Sequence, residues 1–137
     1  MMEAFNRPLA SSARRPNVDP KPLVSAIEAC MECELACTAC ADALLSEPHL
    51  EGLRYCIRIN LDCADVCATT GRILARALEP DWTSLQVQLD ACALFCATCE
   101  AECRRHLPQE HCRRCAEECR RCAAQCRELA RAMPAAA

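Results

Sequence analysis

The sequence predicts an all-α protein: an up-down-up-down antiparallel four-helix bundle with a cysteine-lined core. Three observations carry this. Proline-bearing breaks divide the chain into four segments of roughly 25 residues with short connections and no strand alternation. Within each segment cysteines recur at helical spacings of three, four or seven residues, most densely in "HCRRCAEECRRCAAQC" from His111 to Cys126. Charged residues occupy the opposite faces, so the thiol faces point inward.

Residues 1–18 mix Pro, Ser, Arg and Asn and are expected to form a disordered N-terminal tail, leaving one bundle domain over 19–134. Asp19-Pro20 suits the cap and first residue of helix 1, which is expected to run to about Leu45. "SEPH" (Ser46 to His49) breaks the pattern. Pro48 fits the first turn of helix 2, expected to reach about Leu78. "EPDW" (Glu79 to Trp82) is the next break, and helix 3 runs to about His106. After "LPQE" (Leu107 to Glu110), helix 4 ends near Met133-Pro134.

The totals narrow the class. The 137 residues include 16 cysteines but only one Trp, one Tyr and two Phe. Such cysteine content marks a disulfide scaffold or a metal protein. A net charge of −3 with interleaved signs offers no basic footprint, so nucleic acid is not expected as a partner. No stretch approaches the roughly 20 apolar residues of a membrane span. Arg14-Arg15 lacks the apolar run of a twin-arginine signal, because Pro16, Asn17, Asp19 and Pro20 follow it. The cytoplasm is therefore expected, and there thiols stay reduced.

The cysteines form four groups. Helix 1 carries Cys30, Cys33, Cys37 and Cys40; helix 2 carries Cys56, Cys63 and Cys67. Helix 3 carries Cys92, Cys96, Cys99 and Cys103; helix 4 carries Cys112, Cys115, Cys119, Cys122 and Cys126. At about 100° per residue each group spans an arc of roughly 80° or less. Asn60 stands on the helix 2 stripe where another cysteine would fit. Arg54, Arg58, Asp65 and Arg72 on helix 2 point away, as do Arg113, Arg114, Glu117, Arg120 and Arg121 on helix 4. Ile59, Val66 and Phe95 are expected to pack between neighbouring helices.

The two ends of the stripe differ. At one end it continues into Leu23, Leu74, Leu78, Leu85, Ala130 and Met133, an apolar plug. At the other end gather His49, His106 and His111. They are either polar residues at helix termini or imidazole ligands at a mouth where metal enters. Met31 lies off the stripe and reads as packing. On helix 3, Val87, Leu94, Ala97 and Ala101 fall away from the thiol face and suggest a subunit contact.

Several chemistries compete for these thiols. Cysteine packs well as a small hydrophobe, but four per helix in place of Leu is costly in volume and open to oxidation. Cβ atoms three or four residues apart on a helix are about 5–6 Å apart, against the roughly 3.8 Å of a disulfide. Zinc knuckles and iron–sulfur loops need ligands outside one unbroken helix. Cu(I) is soft and prefers thiolate. One Cu(I) per thiolate leaves a narrow core neutral, whereas four thiolates per Zn(II) leave two negative charges at each site. On that balance the sixteen thiols hold on the order of sixteen Cu(I). The alternatives are a thiol redox protein, with Cys112 and Cys115 beside His111 and Arg114 as the candidate pair, or a zinc- or mercury-buffering protein.

With these four stripes and the His-bearing end, residues 20 to 133 resemble the bacterial copper storage proteins, cysteine-rich four-helix bundles. The lack of an export signal resembles the family's cytosolic branch. The resemblance implies storage and sequestration of Cu(I) without catalysis, a homotetramer, and loading through an end that carries His or Met. By position it makes the sixteen cysteines core ligands and His49, His106 and His111 mouth ligands or gatekeepers. Asn60 departs from a full stripe, which implies a smaller or differently ligated cluster nearby. A copper chaperone or small-thiol copper donor is the candidate partner.

Overall fold

The computed structural model describes residues 18–107 and 109–134; residues 1–17 of the expected tail lie outside them. Helix α1 spans Pro20–Leu45. The Asp19 carboxylate accepts a hydrogen bond from the Lys21 backbone N–H at 3.0 Å, satisfying one of the first turn's free donors. Helix α3 spans Trp82–Arg104, where Asp81 accepts in the same way from the Ser84 N–H at 3.2 Å. Helix α4 spans Glu110–Ala132. Its first turn carries Glu110, whose charge suits the positive end of the helix dipole.

Helix α2 is shorter than the sequence suggests, spanning Arg54–Leu74 rather than Pro48 to Leu78. At its start the chain is irregular through Pro48 and His49 and then forms a 3-10 turn, Glu51–Leu53. Gly52 contributes little helix propensity there, and the turn carries the half-buried Leu53 onto the core. At its end the backbone tightens, with the Arg76 N–H bonding the Ile73 carbonyl at 3.0 Å. Helical phase is lost. Ala77 turns inward at 4% exposure, while Leu78 is 38% exposed and leaves the plug.

Each helix packs on its chain neighbours, and α1 closes the ring against α4. The seams are lined by alanine: Ala26, Ala29, Ala64, Ala93, Ala116 and Ala123 are all buried. Small seam residues let the helix axes approach closely, which brings thiols on different helices to within 3.5–4.0 Å. Ile59 and Val66 pack half-buried against this core as expected. Phe95 does not; it is 37% exposed, because the alanines already fill the seam. Arg121 on α4 pairs with Glu32 on α1 at 2.7 Å, worth about 0.2–1 kcal/mol at this exposure.

At the plug end Leu23, Leu74, Leu89 and Leu129 are no more than 1% exposed and Leu85 is 4% exposed. Each such burial stabilises the fold by about 1.5–3 kcal/mol. These leucines, with half-buried Ala130 and Met133, seal one end of the thiol column. Among the described residues no helix is long and apolar enough to cross a membrane.

Candidate metal centre

All sixteen cysteines are free thiols, none more than 1% exposed. The inward stripes stack them into overlapping groups. The sulfurs of Cys30, Cys92, Cys122 and Cys126 lie within 4.8 Å of one another next to the plug. Moving along the axis, Cys67, Cys92, Cys96 and Cys122 form the next group, followed by Cys33, Cys63, Cys67 and Cys96. Cys33, Cys37, Cys63 and Cys119 come next, then Cys37, Cys99, Cys115 and Cys119. Cys33, Cys37, Cys63, Cys67, Cys92, Cys96, Cys119 and Cys122 each belong to two of these groups. The sulfurs therefore form one shared column, unlike a set of closed sites.

Spacing alone does not choose the metal. A tetrahedral zinc site with Zn–S near 2.3 Å also needs sulfurs about 3.8 Å apart. Charge does discriminate. The buried polar or charged residues among those described are Asn60, Thr70 and Glu102, with no buried lysine or arginine. Nothing positive stands inside to offset the surplus anion of tetrathiolate zinc, and an uncompensated buried charge is costly. A one-to-one Cu(I) thiolate column carries no such surplus.

Cys40, Cys56 and Cys112 at the mouth favour their neutral form. Burial is the main cause that pushes Cys112 up to about 11 from 9.0. The neighbouring Cys103 thiol, and then burial, raise Cys56. Cys40 is raised by the Cys103 and Cys115 thiols and by burial. Loading with metal must therefore displace protons.

At the mouth, His106 is half-buried and its Nε2 lies 3.0 Å from Glu102 Oε1. Arg105 donates to the other oxygen of Glu102 at 3.4 Å. His111 Nε2 is buried with no hydrogen-bond partner, a lone donor or acceptor beside the thiol column. A groove of 470 Å³ between α1 and α4 is lined by His111, Arg114, Cys40 and Cys115 among others. His49 differs from the other two. It is exposed on the irregular connection before the 3-10 turn, so the helical phase that would align it with Cys56 is absent. Met31 is half-buried packing, as expected.

Two mouth residues escape a reading of the stripes. Glu102, only 7% exposed, orients His106; its signal is the spacing of four residues in "ECRRH". Leu44, four residues after Cys40 on α1, is fully buried.

A helical bundle whose core is a continuous thiol column, sealed at one end and histidine-bearing at the other, defines a soft-metal-binding protein. The chain belongs to the copper storage protein family, whose pattern matches residues 19–131. It is 44% identical to the Streptomyces lividans copper storage protein Ccsp in a structure loaded with 10 copper equivalents. That match covers 94% of this chain and 99% of the other, with a TM-score of 0.90. A structure of copper loading to a cytosolic copper storage protein from Streptomyces lividans, with five coppers, is 47% identical. It covers 83% of this chain and 96% of the other at a TM-score of 0.81. The cysteine-rich protein YhjQ of Bacillus subtilis (strain 168), itself uncharacterized, is 37% identical over 91 residues, 66% of this chain and 80% of the relative.

Proposed function

We propose that this protein stores and sequesters Cu(I) in the cytosol, without catalytic turnover. The observation that carries the proposal is the column of sixteen buried free thiols, with no buried lysine or arginine among the described residues. In this reading every cysteine from Cys30 to Cys126 is a core ligand. Each thiol gives up its proton as a Cu(I) ion takes its place, so the core stays neutral at every stage of filling. His106 and His111 hand metal from solvent to Cys103 and Cys112, and exposed His49 is an outer contact. The supplier is a copper chaperone or a small-thiol copper complex. The working form is a homotetramer joined through the exposed Val87 and Leu94 strip of α3, where both side chains are more than 60% exposed.

The test is an anaerobic titration of reduced apo-protein with Cu(I) against a competing chelator, with Zn(II) in parallel. The expected endpoint is about one copper per cysteine, with little zinc retained. An endpoint of two to four metals with zinc preferred would favour a zinc-buffering protein instead.

A further inference from the structure

Among the described residues, the buried side-chain atoms without a hydrogen-bond partner are Gln109 Oε1, His111 Nε2 and Glu118 Oε2. Buried polar atoms are nearly always paired, so orphaned ones mark places where a partner is missing. His111 and Glu118 both line the 470 Å³ groove between α1 and α4. Arg114 stands between them on α4, three residues after His111 and four before Glu118, so all three share one helix face.

The charges in this groove are unevenly met. Glu32 on α1 accepts from Arg121 Nη1 at 2.7 Å. The same nitrogen is 3.7 Å from Glu118 Oε2, too far for a hydrogen bond. Glu118 therefore has a cation nearby but no donor on that oxygen. Arg114 is exposed and makes no ion pair among the described residues. It acts on the Glu110 carboxylate only at a distance, because Arg113 already holds that group. Cys40 and Cys115, hydrogen-bonded to each other across the seam, also line the groove, with exposed Ala39 on its α1 wall.

We propose that this groove docks a low-molecular-weight thiol carrying Cu(I), built on an amino acid with a free carboxylate and a free ammonium group. The inference rests on the copper-storage reading above and names its supplier. Arg114 takes the carboxylate through its forked guanidinium, and the ammonium gives Glu118 Oε2 its missing donor. Four helical residues separate the two, about 6 Å along the axis, the length of a dipeptide at about 3.3 Å per residue. The copper–sulfur centre then faces Cys40, Cys115 and His111 Nε2. A groove of this volume holds a molecule of that size and is too small to admit a folded chaperone domain.

Delivery is a ligand exchange in which copper stays Cu(I). The donor arrives as a bis-thiolate complex with one negative charge. A bond forms between copper and Cys40 Sγ, one donor copper–sulfur bond breaks, and the Cys40 proton leaves on that ligand as free thiol. The neutral Cys115 thiol then displaces the second donor sulfur, which departs as thiolate and carries the negative charge out. The core gains one Cu(I), loses one proton and stays neutral.

The test compares two donors in anaerobic stopped-flow uptake by the full-length apo-protein. One is the Cu(I) complex of glutathione, whose ligand carries both charged groups; the other is the complex of 2-mercaptoethanol, whose ligand carries neither and reaches the core by the mouth. Arg114→Ala should raise the half-saturating concentration of the glutathione complex roughly tenfold or more and leave uptake from the mercaptoethanol complex unchanged. Ala39→Trp fills the groove from its exposed wall and should show the same split. S-methylglutathione, which has no free thiol, should compete with the glutathione complex alone. Equal slowing of both donors, unchanged glutathione uptake in either variant, or no competition overturns the docking site and leaves a protein donor as the supplier. The loading endpoint separates the two ideas. An endpoint near one copper per cysteine with no donor difference sinks the docking site and leaves storage standing, whereas an endpoint of a few metals sinks both.

Discussion

Replacing Cys119 by serine separates two ways of counting metal in this core. Cys119 lies 3.7 Å from Cys33, 3.7 Å from Cys37 and 4.0 Å from Cys115. It belongs to at least two of the four-sulfur groups, one with Cys33, Cys37 and Cys63 and one with Cys37, Cys99 and Cys115. If each group were a closed site, losing one ligand would disable both and remove two metals. If neutrality sets the load, fifteen thiolates remain and about fifteen Cu(I) replace about sixteen, a loss of one. The cost to the apo fold is small. A serine hydroxyl in a helix bonds the carbonyl four residues back, as Thr38 does to Glu34 at 2.8 Å and Thr70 to Val66 at 2.7 Å. The buried hydroxyl is then satisfied, and the destabilisation should stay at about 1–2 kcal/mol. Native mass spectrometry of anaerobically loaded protein reads the metal count, and urea unfolding of the apo form reads the stability. A fall of two or more coppers, or no fall, would refute the charge-balance argument.

Three further outcomes follow from the same geometry. Changing His106 and His111 together to Phe should slow Cu(I) uptake at least severalfold in stopped-flow mixing and spare the final capacity; unchanged kinetics would remove the histidines from the route. Leu74→Ala opens the fully buried plug and should destabilise the apo-protein by about 2–5 kcal/mol in urea, and a cost near zero would mean the plug is not packed as described. Because burial raises Cys112 from 9.0 to about 11, the folded apo-protein keeps a proton there that the unfolded chain loses above pH 9. This stability is fully present below pH 9 and is lost as pH rises through 11, at most about 3 kcal/mol from this group. Cys112→Ser should flatten that part of the pH profile, and an unchanged profile would assign the loss elsewhere.

The bundle and its thiol column were legible because helical periodicity acts on every residue of a long segment. Sixteen cysteines at spacings of three, four and seven leave only one inward face per helix, and all sixteen are buried. Asp19 and Asp81 cap their helices where the proline-bearing breaks suggested. The limits of α2 were not legible, since they depend on how Leu53 and Ala77 settle onto the core, which local propensity does not encode. His49 was misaligned for the same reason: a residue in an irregular connection has no helical phase to extrapolate. Phe95 was misplaced because a thiol core needs close helices, and close helices favour alanine over phenylalanine at the seams. Asn60 was visible as a gap in the stripe, but its grip on Cys56, Cys99, Cys103 and Cys115 required the packed structure.

The most direct test of the central claim is a crystal structure of the fully loaded protein with anomalous scattering recorded at the copper edge. Storage along the whole column predicts copper peaks from the layer of Cys30, Cys92, Cys122 and Cys126 beside the plug through to Cys112 at the mouth. Peaks confined to one end, with most cysteines metal-free at saturating copper, would contradict it.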